Sequence, residues 1–159
     1  VLFQREIADA VNIPVFLSSL IQVPMVYRML KQNQKVGILT AKKDSLTQQH
    51  LRAVGAEDIP VCIAGMDDQE EFCDVIIDYK RVALDFGKLE KELLAVAKGL
   101  VGQHPDIGAI VLECTDMSYF APLIQQTVKL PVFDIITLTN MVHQAVVRRP
   151  FVGMVDRNA

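Results

Sequence analysis

Six consecutive residues with no polar side chain, Ile107-Gly108-Ala109-Ile110-Val111-Leu112, constrain this chain more than any other feature. A strand with one face in water alternates polar and apolar positions. A strand without polar positions must be covered on both faces, as in a parallel sheet flanked by helices. The rest of the chain supplies matching pieces. Residues 14–17, 35–40, 60–63 and 132–133 read as further short strands. Between them lie amphipathic stretches at 2–11, from Ser18-Ser19 to about 31, 44–55, 86–101, 118–128 and 135–148, with a helical or mixed segment at 67–79. Strands alternating with helices of this size predict βαβ units and a mostly parallel sheet.

Local signals refine these elements. Asn12 and Pro14 end the first helix. Ser19 with Gln22 three residues on fits a capping box for the second, although Pro24 favours a later start. Asp44 or Ser45 is the expected N-cap of the 44–55 helix, and Gly55 its stop. Leu89, Leu93, Val96, Ala97 and Leu100 form one face of the longest helix, and the tail after Pro150 is expected to fray.

Composition excludes several function classes. The chain is 51% hydrophobic and 22% charged, which is globular rather than disordered. A net charge of -3 gives no basic surplus to attract nucleic acid or an anionic membrane surface. No apolar run approaches the roughly 20 residues that span a bilayer. Three cysteines without regular spacing do not build a disulfide framework and predict a reduced, cytoplasmic setting. Val1-Leu2-Phe3 lacks a basic leader and a cleavage site, so it is no signal peptide. The pattern at Phe3, Ile7 and Val11 reads instead as the middle of a helix, from which further sequence upstream is expected.

Open parallel sheets bind ligands at the carboxyl ends of their strands. Those ends carry Ser18-Ser19, Thr40, Cys114-Thr115-Asp116 and Asp134. Hydroxyls and carboxylates there serve equally well as helix caps. Cys114 is not a capping residue, and a thiol at a helix N-terminus is expected to have a depressed pKa. Cys62, inside an apolar strand, reads as core. Cys73, among acidic residues, reads as structural. His50, His104 and His143 share no metal-ligand spacing with cysteines or carboxylates, so no metal site is expected. No Gly-x-Gly-x-x-Gly or phosphate loop occurs.

An internal repeat accompanies these features. Phe3, Ile7, Val11, Pro14, Val15 and Phe16 recur 117 positions later as Phe120, Ile124, Val128, Pro131, Val132 and Phe133 (131 − 14 = 117). Both copies read as a helix followed by a strand that opens Pro-Val-Phe. The counterpart of Cys114 would fall just before Val1.

Leu112-Glu113-Cys114-Thr115-Asp116, followed by Pro131-Val132-Phe133-Asp134, resembles the aspartate/glutamate/hydantoin racemase superfamily. Val36-Gly37-Ile38-Leu39-Thr40-Ala41 and Pro14-Val15-Phe16-Leu17-Ser18-Ser19 resemble further blocks of its racemase-like members, and the likeness covers residues 1–150. The resemblance implies an α/β fold of two pseudo-symmetric lobes, with the first incomplete here. Residues 1–33 would be a remnant of that lobe, 34–130 the second lobe with Cys114, and 131–159 a strand and helix returning to the first.

It also implies cofactor-independent racemisation or epimerisation of an amino acid or other small carboxylate. One cysteine from each lobe moves the α-proton. Cys114 matches the second-lobe cysteine. Thr115, Thr40 and Ser45 match carboxylate-binding positions, and Asp116 and Ser18 complete the candidate binding set. Many glutamate racemases have His where this chain has Asp116, and the first-lobe cysteine has no counterpart here, since Cys62 and Cys73 lie in other blocks. The chain by itself is therefore expected to be inactive as a racemase. Decarboxylation or cis–trans isomerisation of a small dicarboxylate, or a non-catalytic fragment, are the alternatives. A homo-oligomer is expected, joined through residues 1–31.

Overall fold

In the computed structural model, which describes residues 1–148, four parallel strands make one sheet. They are β1 (Lys35–Thr40), β2 (Val61–Gly65), β3 (Ile107–Leu112) and β4 (Val132–Phe133), in the order β2-β1-β3-β4. Val36 to Thr40 pairs with Val61 to Gly65 on one side, and Val36 to Leu39 with Ala109 to Leu112 on the other. β4 is held to β3 by the Ile110–Val132 and Val111–Phe133 pairs.

The period of two along β3 sorts its side chains between two cores. Ile110 and Leu112 join the first, with Leu89, Leu93, Ala97 and Leu100 of α5 (Phe86–Gln103) and Ile124 of α6 (Ala121–Val128). Ala109 and Val111 join the second, with Val23 and Val26 of α2 (Val23–Met29) and Leu51 of α3 (Gln48–Ala53). All six residues of β3 are buried, as the apolar run requires. At roughly 1.5–3 kcal/mol for each large side chain removed from water, this strand is a main contributor to the stability of the fold.

Where local signals compete, the structure departs from the sequence reading. Residues 14–17 form no strand. Among the described residues no neighbour pairs with them, and a side chain substitutes: Gln4, in α1 (Gln4–Ala10), donates from Nε2 to the Val15 carbonyl at 2.9 Å and accepts the Leu17 N–H at 2.9 Å. The second helix is capped by Ser18, not Ser19. Ser18 Oγ accepts from the Leu20 N–H at 3.2 Å, while Ser19 Oγ donates to the Leu112 carbonyl at the end of β3. A 3-10 turn over Ser19–Gln22 precedes α2, with Pro24 in its first turn.

Asp44 and Ser45 lie in a 3-10 turn, and Thr47 starts α3, its N–H donating to His50 Nδ1 at 3.1 Å. Gly55, at φ +70°, ends that segment as expected. The 118–128 helix is likewise split into a 3-10 turn, Thr115–Phe120, and α6. The last helix, α7, spans Ile135–Val146, capped by the Asp134 side chain on the Thr137 N–H at 2.8 Å. The expected fraying after Pro150 falls outside the described residues.

The two copies of the repeat differ in environment. Phe120 and Ile124 are buried, whereas Phe3, Ile7 and Val11 are exposed. Only the second copy's Val-Phe pair enters the sheet.

The link from β2 to α5 runs through α4 (Glu70–Phe72) and a π-turn, Cys73–Ile77. Glu71 pins it. Its carboxylate is buried, accepts the Asp85 N–H at 2.8 Å and pairs with Arg81 Nη2 at 2.9 Å. Glu92 in α5 accepts the N–H groups of Glu71 and Phe72, satisfying the start of α4.

Candidate active site

The strand order fixes where a site can form. From β1 the chain moves outward to β2, then crosses back to place β3 and β4 on the opposite side. Strand order thus reverses between β1 and β3, and the connections leaving their carboxyl ends diverge there to leave a crevice. Thr40 ends β1, and Glu113-Cys114 follow β3. The Glu113 N–H donates to the Leu39 carbonyl at 2.7 Å, and Thr40 Oγ1 donates to Glu113 Oε2 at 3.0 Å. Backbone and side chain together tie the two strand ends.

Above this tie is a pocket of about 370 Å³. Its polar lining is Thr40, Lys42, Ser45, His50 and Glu113, and Leu46, Ile76 and Ile77 make much of its apolar wall. The last two come from the π-turn, so the Glu71 anchor also holds one side of the pocket. Gly65 at the end of β2 allows the chain to close in beside it, because a side chain there would collide with the Asp67 carboxylate and the Lys43 amide. That amide donates to Asp67 Oδ2 at 2.9 Å.

Cys114 sits next to the pocket through Glu113, half-buried against the core on the α5 side, and its side chain is not among the pocket-lining groups. It opens the Thr115–Phe120 turn, which is anchored by buried Met117 and Phe120 and by Tyr119 packed edge-on to Phe86, with ring centroids 5.8 Å apart. The expected depressed thiol is reversed: its pKa is pushed up to about 11. Burial is the largest cause. The Asp116 backbone N–H opposes the rise, but the Asp116 carboxylate, which accepts the S–H at 3.5 Å, and Glu113 both add to it. The N–H groups at the start of this helical segment are too little to offset desolvation and two carboxylates.

The other sequence candidates separate into three positions. Thr40 and Ser45 meet in the pocket. Thr115 and Asp116 are exposed beside Cys114. Ser18 is buried, its hydroxyl accepting at the cap of the 19–22 turn. Cys62 is buried in β2 and burial raises its pKa. Cys73 donates its S–H to the Asp67 carbonyl at 3.1 Å, and burial raises it too. Among the described residues, no three His, Cys, Asp or Glu side chains gather as metal ligands, and no helix is long and apolar enough to cross a membrane.

Sequence reasoning missed Glu113, Lys42 and His50. Glu113 stood inside the motif around Cys114, and Lys42 follows the end of β1 by two positions, so proximity to strand ends was the available signal. Ile76 and Ile77 carried none, since a π-turn has no composition of its own.

Comparison with known proteins gives consistent results at three levels. In sequence the chain is 29% identical to a dimethylsulfoniopropionate lyase of Durusdinium sp. clade D, over 97% of this chain and 52% of that protein. It is 26% identical to dimethylsulfoniopropionate lyase 5 of Emiliania huxleyi (strain CCMP1516), over 96% of this chain and 31% of that one. The chain therefore spans about half the length of the first relative and about a third of the second. In structure it is similar to the allantoin racemase of Pseudomonas fluorescens, with TM-score 0.52 and 16% identity over 81% of this chain and 51% of that one, a likeness of fold. The family model for Asp/Glu/Hydantoin racemase matches residues 3–140, and the chain belongs to that family.

Proposed function

We propose that the chain carries one proton-transfer group of an enzyme site that acts at the carbon next to a carboxylate, and that this group is Cys114. The single observation that carries the reading is a half-buried thiol placed after β3, beside a pocket at the strand-order reversal. With its pKa pushed up to about 11, Cys114 rests as the thiol at neutral pH. It is then poised to give a proton to a carbanion, and as a base it works only through a small thiolate fraction.

Racemisation needs a second group on the opposite face of the α-carbon. Neither Cys62 nor Cys73 supplies it, since each thiol is engaged elsewhere in the structure. A second reading has support in the names of the relatives. Elimination from a β-sulfonio carboxylate also begins with loss of the α-proton, after which the carbon–sulfur bond breaks and a sulfide departs. One base suffices for that chemistry.

The test is solvent deuterium wash-in at the α-carbon of aspartate, glutamate and a β-sulfonio propionate, followed by NMR. Cys114 alone should exchange the α-proton of these substrates, without inverting the stereocentre of aspartate or glutamate. The rate should rise about tenfold per pH unit below the thiol pKa, and Cys114→Ser should lower it by about 10²- to 10⁴-fold. An alkene product from the sulfonio substrate selects the elimination reading. Exchange that survives Cys114→Ser would overturn both.

A further inference from the structure

We infer that Glu113, oriented by Thr40, is the specificity-determining residue that receives the cationic group of such a substrate. The inference rests on the carboxylate-substrate reading above and adds the second half of the ligand.

Three observations support it. First, the Glu113 carboxylate is fixed and only half used. Oε2 accepts from Thr40 Oγ1 at 3.0 Å, and Thr40 is itself 4% exposed, whereas Oε1 has no hydrogen-bond partner among the described residues. Second, it is not ion-paired, although Lys42 lines the same pocket. The ion pairs of the described residues lie at Lys35, Lys80 and Arg81, and no cationic nitrogen among those residues comes within 4.0 Å of Glu113. A pocket-lining carboxylate with one free oxygen is a ready acceptor for a ligand cation.

Third, the rest of the pocket suits the other parts of such a ligand. Ile76, Ile77 and Leu46 present aliphatic surface to methyl or methylene groups, and Lys42 and Ser45 are lining groups able to hold a carboxylate. About 370 Å³ admits a molecule of this size. Thr40 does not compete for the ligand carboxylate, because its hydroxyl proton is already committed to Glu113.

The experiment measures binding by calorimetry to the full 159-residue chain. The probes are 3-(trimethylammonio)propanoate, β-alanine, and the uncharged carbon isostere 4,4-dimethylpentanoate. Wild type should favour the trimethylammonio compound over the isostere by about tenfold, the scale of one retained charge contact. Glu113→Gln should remove that preference and leave isostere binding unchanged, while Glu57→Gln, an exposed carboxylate outside the pocket lining, keeps the preference. Preference for β-alanine over the methylated probe identifies a primary ammonium; the reverse identifies an onium. Equal binding of charged and uncharged probes by wild type, loss of preference in Glu57→Gln instead of Glu113→Gln, or no binding of any probe would overturn the assignment. The readout involves no proton transfer, so the Cys114 role and the Glu113 role can fail separately. Retained onium preference in Cys114→Ser would show the cation seat standing alone.

Discussion

Replacing Asp116 with asparagine removes a negative charge 3.5 Å from the Cys114 sulfur while keeping the size of the side chain. Asp116 is exposed, so the effective dielectric constant is high. At about 40–80, Coulomb's law gives about 1–2.5 kcal/mol of repulsion between thiolate and carboxylate at this distance. At the high-dielectric end, appropriate to an exposed carboxylate, that corresponds to about one pH unit. The Asp116 backbone N–H still stabilises the thiolate in the variant, and burial still opposes it, so the midpoint should fall by about one unit, from about 11, and remain above the ~8.5 of a free thiol.

The assay is iodoacetamide alkylation across pH 7–12, read by peptide mass spectrometry with Cys62 and Cys73 as internal references. At a pH well below both midpoints, Cys114 in Asp116→Asn should react about tenfold faster than in wild type, because the thiolate fraction scales that way. A wild-type midpoint at or below that of a free thiol would show that burial does not govern this site. An unchanged midpoint in the variant would show that the Asp116 charge is fully screened.

Two further outcomes follow from the packing. The Asp85 N–H, and then Arg81, hold the Glu71 carboxyl below the usual carboxylate range. Its contribution is therefore complete above the unfolded value of ~4.3 and is lost as pH falls through the lower folded value. Glu71→Gln should melt at lower temperature than wild type at pH 7, with the gap closing on acidification below about pH 4; a gap independent of pH would refute the ionic account. Ile110→Ala should destabilise by about 2–5 kcal/mol in urea unfolding, because Ile110 has no exposed surface and sits centrally in the core on the α5 side. A loss below about 1 kcal/mol would show that the neighbouring helices collapse into the space.

Elements whose signal lies within a few residues were legible in the sequence. β3 was marked by its unbroken apolar run, β1 by its composition, and α5 by its apolar stripe, and each spans nearly the residues expected. Residues 14–17 have strand composition, yet pairing is a property of neighbours, and here a Gln4 side chain occupies the neighbour's role. The position of Cys114 at a strand end was likewise readable, but the direction of its pKa was not. Sequence displays the dipole and the adjacent carboxylate, while burial, the largest cause, exists only in three dimensions. Glu113 was in view as part of a motif, but its partnership with Thr40 joins residues 73 positions apart and had no local trace.

The reversal of strand order between β1 and β3 has a consequence for how such a protein can change. Apart from Glu113, the groups that shape the pocket wall come from the end of β1 and the segments after β1 and β2, whereas Glu113 and the thiol come from the segment after β3. These are separate stretches of chain that meet only at the sheet edge. Substitutions at 41–50 or 73–77 can therefore alter which molecule is held while the register of β3 and the placement of Cys114 stay fixed. On the function proposed above, a single scaffold could exchange substrates without rebuilding the segment after β3.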